Sequence, residues 1–459
     1  MLESDREPRD CWRRASRVLP LLREEIVVMK KYLLNVLVPA VGALAYCAPA
    51  AYAQSAPAAP AKPTVAGWED LVNGLRDLPD RVLAKLPESM QNDPQVQQEV
   101  GRLMLEALAS STLDAIGGDG NYPSFLPTIG QTLNVGQPNA DTVYRMARIT
   151  PGGTYRLRGL RGSLRIAAIG QVGPTLGEGG TKSTQVGAMK NYYDLNTLHV
   201  DKQGRYDVLV SPMRPDGYKG DWWQLDPSAN RLLLRMVSGN WSKERDPTIA
   251  IERVDIPASR PRPSAADLEQ RLRRLPAATS AIAALFVGHV EALRQEGYVN
   301  KLKVLDVSQA GGLTGQFYYE GDYDLGDDEA LIVEAKVPPK CGYRSTILTN
   351  EIYETTDWYN NHSSLNDSQS KPDKDGVLRV VVSAKDPGVP NWLDTAGHPQ
   401  GMIQGRWTYC DQQPIPSVRK VALADVRKSL PPETGIVTPE QRDHDVRERR
   451  LLLQQRPLW

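Results

Sequence analysis

The chain has 459 residues, 55 Lys/Arg against 55 Asp/Glu, and a formal net charge of zero. That balance gives no basis for binding nucleic acid or an anionic membrane surface. The length accommodates two or three domains with ample core, and five histidines are few for a zinc enzyme.

Residues 1–28 carry charges of both signs and precede a leader, so the true start is read as Met29. Over 29–53 the chain has a basic start at Lys30 and Lys31, an apolar run from Tyr32 to Ala45, and the small-residue site Ala51-Tyr52-Ala53. This is the pattern of a cleaved secretory signal, too short to span a bilayer. The expected mature chain begins at Gln54, is periplasmic or secreted, carries a net charge of about −2 and keeps no integral membrane segment. Cys11 and Cys47 leave with the leader. Cys341 and Cys410 remain, and an oxidising compartment predicts a disulfide between them.

Residues 54–66 form an Ala/Pro-rich linker with nothing to bury. A helical region is expected over 67–133, its clearest helix capped by Asp93, started by Pro94, striped by Val96, Val100, Leu103 and Ala107, and ended at Gly117. From 134 to 258 short alternating strands separated by Gly, Pro and Asp turns predict an antiparallel β-sandwich. A helical connector follows over 259–300, opened by Ser264 with Asp267 three residues on, its second helix running from Ala281 to about Gln295 and stopping at Gly297. A second sandwich occupies 301–430. The charged tail, 431–459, is read as a peripheral helix. The fold class is therefore mainly β with accessory helices: two tandem jelly-roll-like antiparallel sandwiches, an N-terminal helical region and a helical segment between the β domains.

The two β regions repeat one pattern. Gly204, Ser211, Trp222 and Arg235 recur as Gly376, Ser383, Trp392 and Arg406, each roughly 170 residues later. Features that both copies keep are read as fold, and features that one copy adds are candidates for function. Trp222 and Trp392 fall in the first class.

Hydrolase, phosphate-loop, zinc-protease and Cys-x-x-Cys signatures are absent, and no cofactor is expected. The glycine-rich run Gly170 to Gly180 lacks dinucleotide spacing and is read as a loop. The acidic run Asp322 to Glu329 is read as a hairpin turn, with calcium binding left open. His398 differs in kind. It lies in Asn391-Trp392-Leu393-Asp394-Thr395-Ala396-Gly397-His398, while the twin loop, Trp222 to Asn230, holds no histidine. Asp394 is the expected orienting carboxylate for a His398 base.

The segment Asn139-Ala140-Asp141-Thr142-Val143-Tyr144-Arg145 resembles the Asn-Pro-Asp-Thr-Val-Tyr signature of the domain-of-unknown-function 1254/1214 proteins. The match continues through Tyr155-Arg-Leu-Arg-Gly159, Gly239-Asn-Trp241, Asn391 to His398 and Arg406-Trp407, with Ala140 where proline is usual. The resemblance implies exported bacterial β-sandwich proteins and no established reaction. Its recurrent polar positions fall on Asn139, Asp141, Tyr144, Arg145, Asp394, His398 and Arg406. The first expectation is a binding protein for a small, partly apolar organic ligand or a glycan, held by Asn139, Asp141, Tyr144, Trp392 and Arg406. A second is a metal-independent hydrolase or lyase using His398 and Asp394, with Arg145 or Arg406 stabilising an anion. A third is an envelope assembly protein. A homo-oligomer is compatible with each.

Overall fold

The computed structural model describes residues 64–174, 189–305, 313 and 315–457. The leader, most of the Ala/Pro-rich linker and much of the glycine-rich run lie outside these residues. Gly170 itself stands inside a strand rather than a loop.

The helical region forms α1 (Trp68–Arg76), α2 (Leu78–Leu83), α3 (Glu88–Gln91) and α4 (Pro94–Gly117). Asp93 caps α4 by accepting from the backbone N–H groups of Gln95 and Val96, satisfying two donors that a helix start leaves free. The connector forms α5 (Ala265–Ala284), capped by Ser264, and α6 (His289–Gln295). The stretch 265–295 has the length and apolar character to cross a membrane. Here it breaks near Gly288, and Ala283 and Val287 pack on Val96, Val100 and Leu103 of α4.

The first sandwich contains β1 (Leu126–Pro127), β2 (Thr142–Arg148), β3 (Tyr155–Leu160), β4 (Ile166–Val172) and β5 (Met189–Asp194), then β6 (Arg205–Ser211), β7 (Asp221–Gln224), β8 (Arg231–Val237) and β9 (Ala250–Arg253). The second contains β10 (Lys303–Leu305), β11 (Gln316–Asp324), β12 (Glu329–Lys336), β13 (Cys341–Leu348) and β14 (Ser364–Asn366). It continues with β15 (Val377–Ser383), β16 (Trp392–Asp394), β17 (Gln400–Cys410) and β18 (Ser417–Ala422). Strand order is β1-β2-β8-β4-β5 over β7-β6-β3-β9 in the first copy, and β10-β11-β17-β13-β14 over β16-β15-β12-β18 in the second. The two orders are identical position for position. All pairings are antiparallel except β6 with β7 and β15 with β16.

The duplication extends to single atoms. Leu209 pairs with Trp222 as Val381 pairs with Trp392. Trp222 Nε1 donates to Ser211 Oγ at 2.9 Å, and Trp392 Nε1 donates to Ser383 Oγ at 3.0 Å. Gly204 and Gly376 hold φ of 76° and 78°, a left-handed turn that favours glycine before β6 and β15. The acidic run is not the expected hairpin turn: β11 ends at Asp324 and β12 begins at Glu329 in the other sheet, so the connection crosses between sheets, with Asp322 and Asp324 of β11 bridged by Arg294 and Asp328 meeting Lys385.

β12 and β15 are apolar without alternation, which calls for cover on both faces. Leu331, Val333, Val380 and Val382 fill the sandwich interior. Ala330, Ile332 and Val381 face outward onto Trp392, Val426 and Leu430. The segment after β18 is thus integral to the fold. Its final helix, α7 (Pro439–Gln454), corrects the expectation of a peripheral tail, since Arg442, Arg449, Leu453 and Arg456 are all buried. Long charged side chains run their stems along apolar surface, so a charged composition does not mark this helix as peripheral.

Cys341 and Cys410 are opposed across β13 and β17 and are joined by a disulfide. Replacing both by serine is expected to lower stability by up to about 4 kcal/mol, because the bridge closes a long loop in the unfolded chain. Urea denaturation of the oxidised protein and of Cys341→Ser/Cys410→Ser measures the difference. Coincident curves would show that the surrounding ladder makes the bridge redundant.

Candidate functional site

Strand alternation sends Leu232, Leu234, Ile169 and Val143 into the first sandwich, so their neighbours point out of it. The outward residues Tyr144, Arg235 and Ala168 lie side by side in register across β2, β8 and β4. In the second copy Tyr319, Trp407, Leu348 and Ile403 face inward, and Tyr318, Arg406 and Ser345 form the matching outward row across β11, β17 and β13. The two outward faces meet. Ile166, Ala168 and Val237 of one sheet pack with Tyr343 and Leu313 of the other region.

Each copy therefore contributes one arginine over one tyrosine to the seam. The Arg235 guanidinium lies 5.9 Å from the Tyr144 ring centre and 5.5 Å from that of Tyr192, and Arg406 lies 5.3 Å from that of Tyr318. These are cation–π distances. Burial pushes the Arg235 pKa down and the nearby Arg406 charge adds to this, with Tyr144 and Tyr318 opposing. Burial also acts against the Arg406 charge, but Tyr318, Tyr343, Tyr144 and Asp141 overcome it and hold its pKa above the ordinary value. One Arg406 nitrogen donates to Gln404 Oε1 at 2.6 Å, while its buried Nε has no hydrogen-bond partner among the described residues. Tyr144, Met146, Leu233, Arg235 and Tyr318 are only half-buried, so this part of the seam is reached by solvent.

Beside the arginines lies a buried knot around Asp141. Its Oδ2 accepts from the Tyr343 hydroxyl at 2.5 Å, and its Oδ1 accepts from Trp241 Nε1 at 2.8 Å and Asn366 Nδ2 at 2.7 Å. Asn139 Nδ2 donates to the Tyr343 oxygen at 2.9 Å, and the Asn139 backbone N–H donates to the Tyr144 hydroxyl at 3.2 Å. Burial raises the Asp141 pKa, and the three donors counter it. Arg456 closes the knot from the C-terminal side, donating to the Asp141 carbonyl at 2.6 Å.

Four expected ligand-binding residues, Asn139, Asp141, Tyr144 and Arg406, thus share one seam. The others do not join them. Arg145 is on the opposite face of β2, where burial lowers its pKa and Asp246 partly restores it. Trp392 lies behind the second sandwich, under Arg442 and stacked on His362. Asp394 does not orient His398: its Oδ1 accepts from the Ala396 backbone N–H at 2.7 Å. The carboxylate at His398 Nδ1 is Glu351, at 3.2 Å. Burial opposes the His398 charge, yet Glu351, with Glu99 and Glu354, raises the imidazole pKa overall. Tyr318 and Arg235 were recoverable as twins of Tyr144 and Arg406, whereas Tyr343, Asn366 and Glu351 carry no local signal.

A separate cavity of about 430 Å³ opens between α4, α5 and the first sandwich, with Arg148, Arg260 and Arg271 among its walls. These three are committed to Asp114, to Asp119 and to the carbonyls of Ala115 and Gly118 that end α4.

No family model and no curated protein matches the chain. Its fold is similar to the crystal structure of an uncharacterised protein from Burkholderia cenocepacia, at a TM-score of 0.71 and 26% identity, covering 78% of this chain and 98% of that one. A solved protein from Vibrio parahaemolyticus aligns at a TM-score of 0.41 and 12% identity over 70% of this chain and 99% of that one.

Asp141→Ala would leave the donors of Tyr343, Trp241 and Asn366 without their acceptor. The expected cost is about 3 kcal/mol or more. Chemical denaturation measures it, and a loss under about 1 kcal/mol would show that water replaces the carboxylate.

Proposed function

We propose that the chain binds a small organic anion with an aromatic or apolar body in the seam between the two sandwiches. The observation that carries this reading is the meeting of Arg235 and Arg406, two like charges from duplicate positions, on a half-open face lined by Tyr144 and Tyr318. Guanidinium groups present paired N–H donors in a fixed fork that matches the geometry of a carboxylate. Asp141, whose charge helps to hold the Arg406 pKa up, is itself engaged by three donors. A ligand carboxylate would bridge the arginines through paired N–H donors, and the tyrosine rings would flank its apolar part.

The hydrolase or lyase reading has less support, since Asp394 and Arg145 stand apart from His398. Convergence of Asn139, Asp141, Tyr144 and Arg406 supports membership of the domain-of-unknown-function 1254/1214 family and, with the leader pattern, an exported protein. Mass analysis of the exported chain is expected to find Gln54 at its start. An unprocessed chain would remove the export proposal.

The binding proposal is tested by thermal shift with a panel of aromatic and aliphatic carboxylates beside their neutral amides. Carboxylates are expected to stabilise the protein, by about 2.7 kcal/mol at a hundred times Kd. Arg235→Gln and Tyr318→Ala should weaken the effect. Equal stabilisation by the neutral amides, or none by any anion, counts against the reading.

A further inference from the structure

At the junction of the helical region and the second sandwich, Glu99 of α4, Glu351 in the turn after β13 and His398 before β17 each offer a ligand atom, all within 4.8 Å of one another. We propose that these three residues form a binding site for a divalent cation of the first transition row.

The burial of the acids carries the argument. Glu99 is 7% exposed. Its Oε1 accepts from Gln95 Nε2 at 2.9 Å, while Oε2 is buried and has no hydrogen-bond partner among the described residues. The Glu351 side chain is 10% exposed and that of His398 20%. Glu354, behind them, is also buried and its Oε1 has no hydrogen-bond partner among the described residues. Glu106 sits on the next turns of α4, and Arg102 pairs with Glu354. Four carboxylates thus face one arginine and one imidazole. A buried carboxylate without a compensating charge costs several kcal/mol, and a single histidine cannot neutralise both Glu99 and Glu351.

The backbone is arranged to deliver these groups. Asn350 fixes the turn that carries Glu351, accepting from the N–H groups of Ile352 and Glu354 while its amide donates to Glu354 Oε2 at 2.9 Å. Tyr353 in this turn has a φ of 70°, a conformation that a bulky residue seldom adopts. Ala396 and Gly397, at φ 52° and 87°, turn the loop immediately before His398. The equivalent loop of the first copy, Trp222 to Asn230, closes without a histidine. Two carboxylates and one imidazole suit zinc, manganese or iron(II) rather than calcium, and three protein ligands leave coordination positions for water or a substrate oxygen.

The test uses the full disulfide-bonded chain, stripped with EDTA and dialysed. Zn²⁺ and Mn²⁺ are then titrated by calorimetry, with elemental analysis after desalting and melting curves with and without metal. The expected result is about one ion per chain and a metal-dependent rise in Tm. Glu99→Gln and His398→Ala should each weaken binding at least about tenfold, a change that even residues behind a metal ligand commonly produce. His444→Ala, on an exposed helical face, should change nothing. Without metal, Glu99→Gln should melt no lower than the parent, because it removes an uncompensated buried charge. Absence of binding by the parent up to millimolar metal would overturn the site. So would undiminished binding by Glu99→Gln, or a metal-free Glu99→Gln that melts well below the parent, which marks a closed Glu–His–Glu ion triad.

Discussion

The Asp141 carboxylate sets the condition for the whole assembly, because a buried charge is tolerated only when fully hydrogen-bonded. Trp241, one of its three donors, belongs to the first β region, and the other two, Tyr343 and Asn366, belong to the second. Neither sandwich satisfies this group alone, so burying it requires the two outward faces to meet. Arg456 adds the C-terminal segment to the same point by bonding the carbonyls of Asp141 and Met236 and the carboxylate of Asp246. Arg449 lies over Trp241 and donates to Ser364. Two duplicated sandwiches and a helix of charged sequence are thereby locked around one acidic side chain.

Duplication explains the rest of the seam. A position that points outward in one copy points outward in the other, so facing the copies brings like against like. Apolar residues gain from this, and arginines do not. Arg235 and Arg406 are tolerated because tyrosines surround both and because the copies differ beside them. Asp141, three residues before Tyr144, has Gly315 as its counterpart three residues before Tyr318. The second copy therefore brings a guanidinium group to the seam without a counterpart of Asp141, and the two copies are chemically unequal where they meet.

Much of this was readable locally. The cap Asp93-Pro94, the turn glycines Gly204 and Gly376 and the Trp–Ser pairs state their roles within a few residues, and the repeat announces two β regions of like arrangement. The alternation of β2 also separates Arg145 from Tyr144, so grouping both in one site ignored the period of two. What composition hid was the second cover of β12 and β15, supplied by a tail whose arginines are buried by their stems. Partners such as Tyr343 for Asp141, or Glu351 for His398, lie on other elements, and no pattern within one element announces them.

The separation of Asp394 from His398 shows why nearness in sequence misled. Asp394 is the last residue of β16, fixed in register with Ser383, and its carboxylate turns back onto the Ala396 N–H. The left-handed residues Ala396 and Gly397 then redirect the chain, so His398 emerges toward the helical region instead of along the strand. The acid it meets comes from the turn after β13, and the next acid from α4, which belongs to neither sandwich. The histidine that the second copy adds has a role only where the helical region covers the sheet. That dependence separates it from the seam, where every principal group except Asp141 has a twin or a packing partner fixed by the duplication.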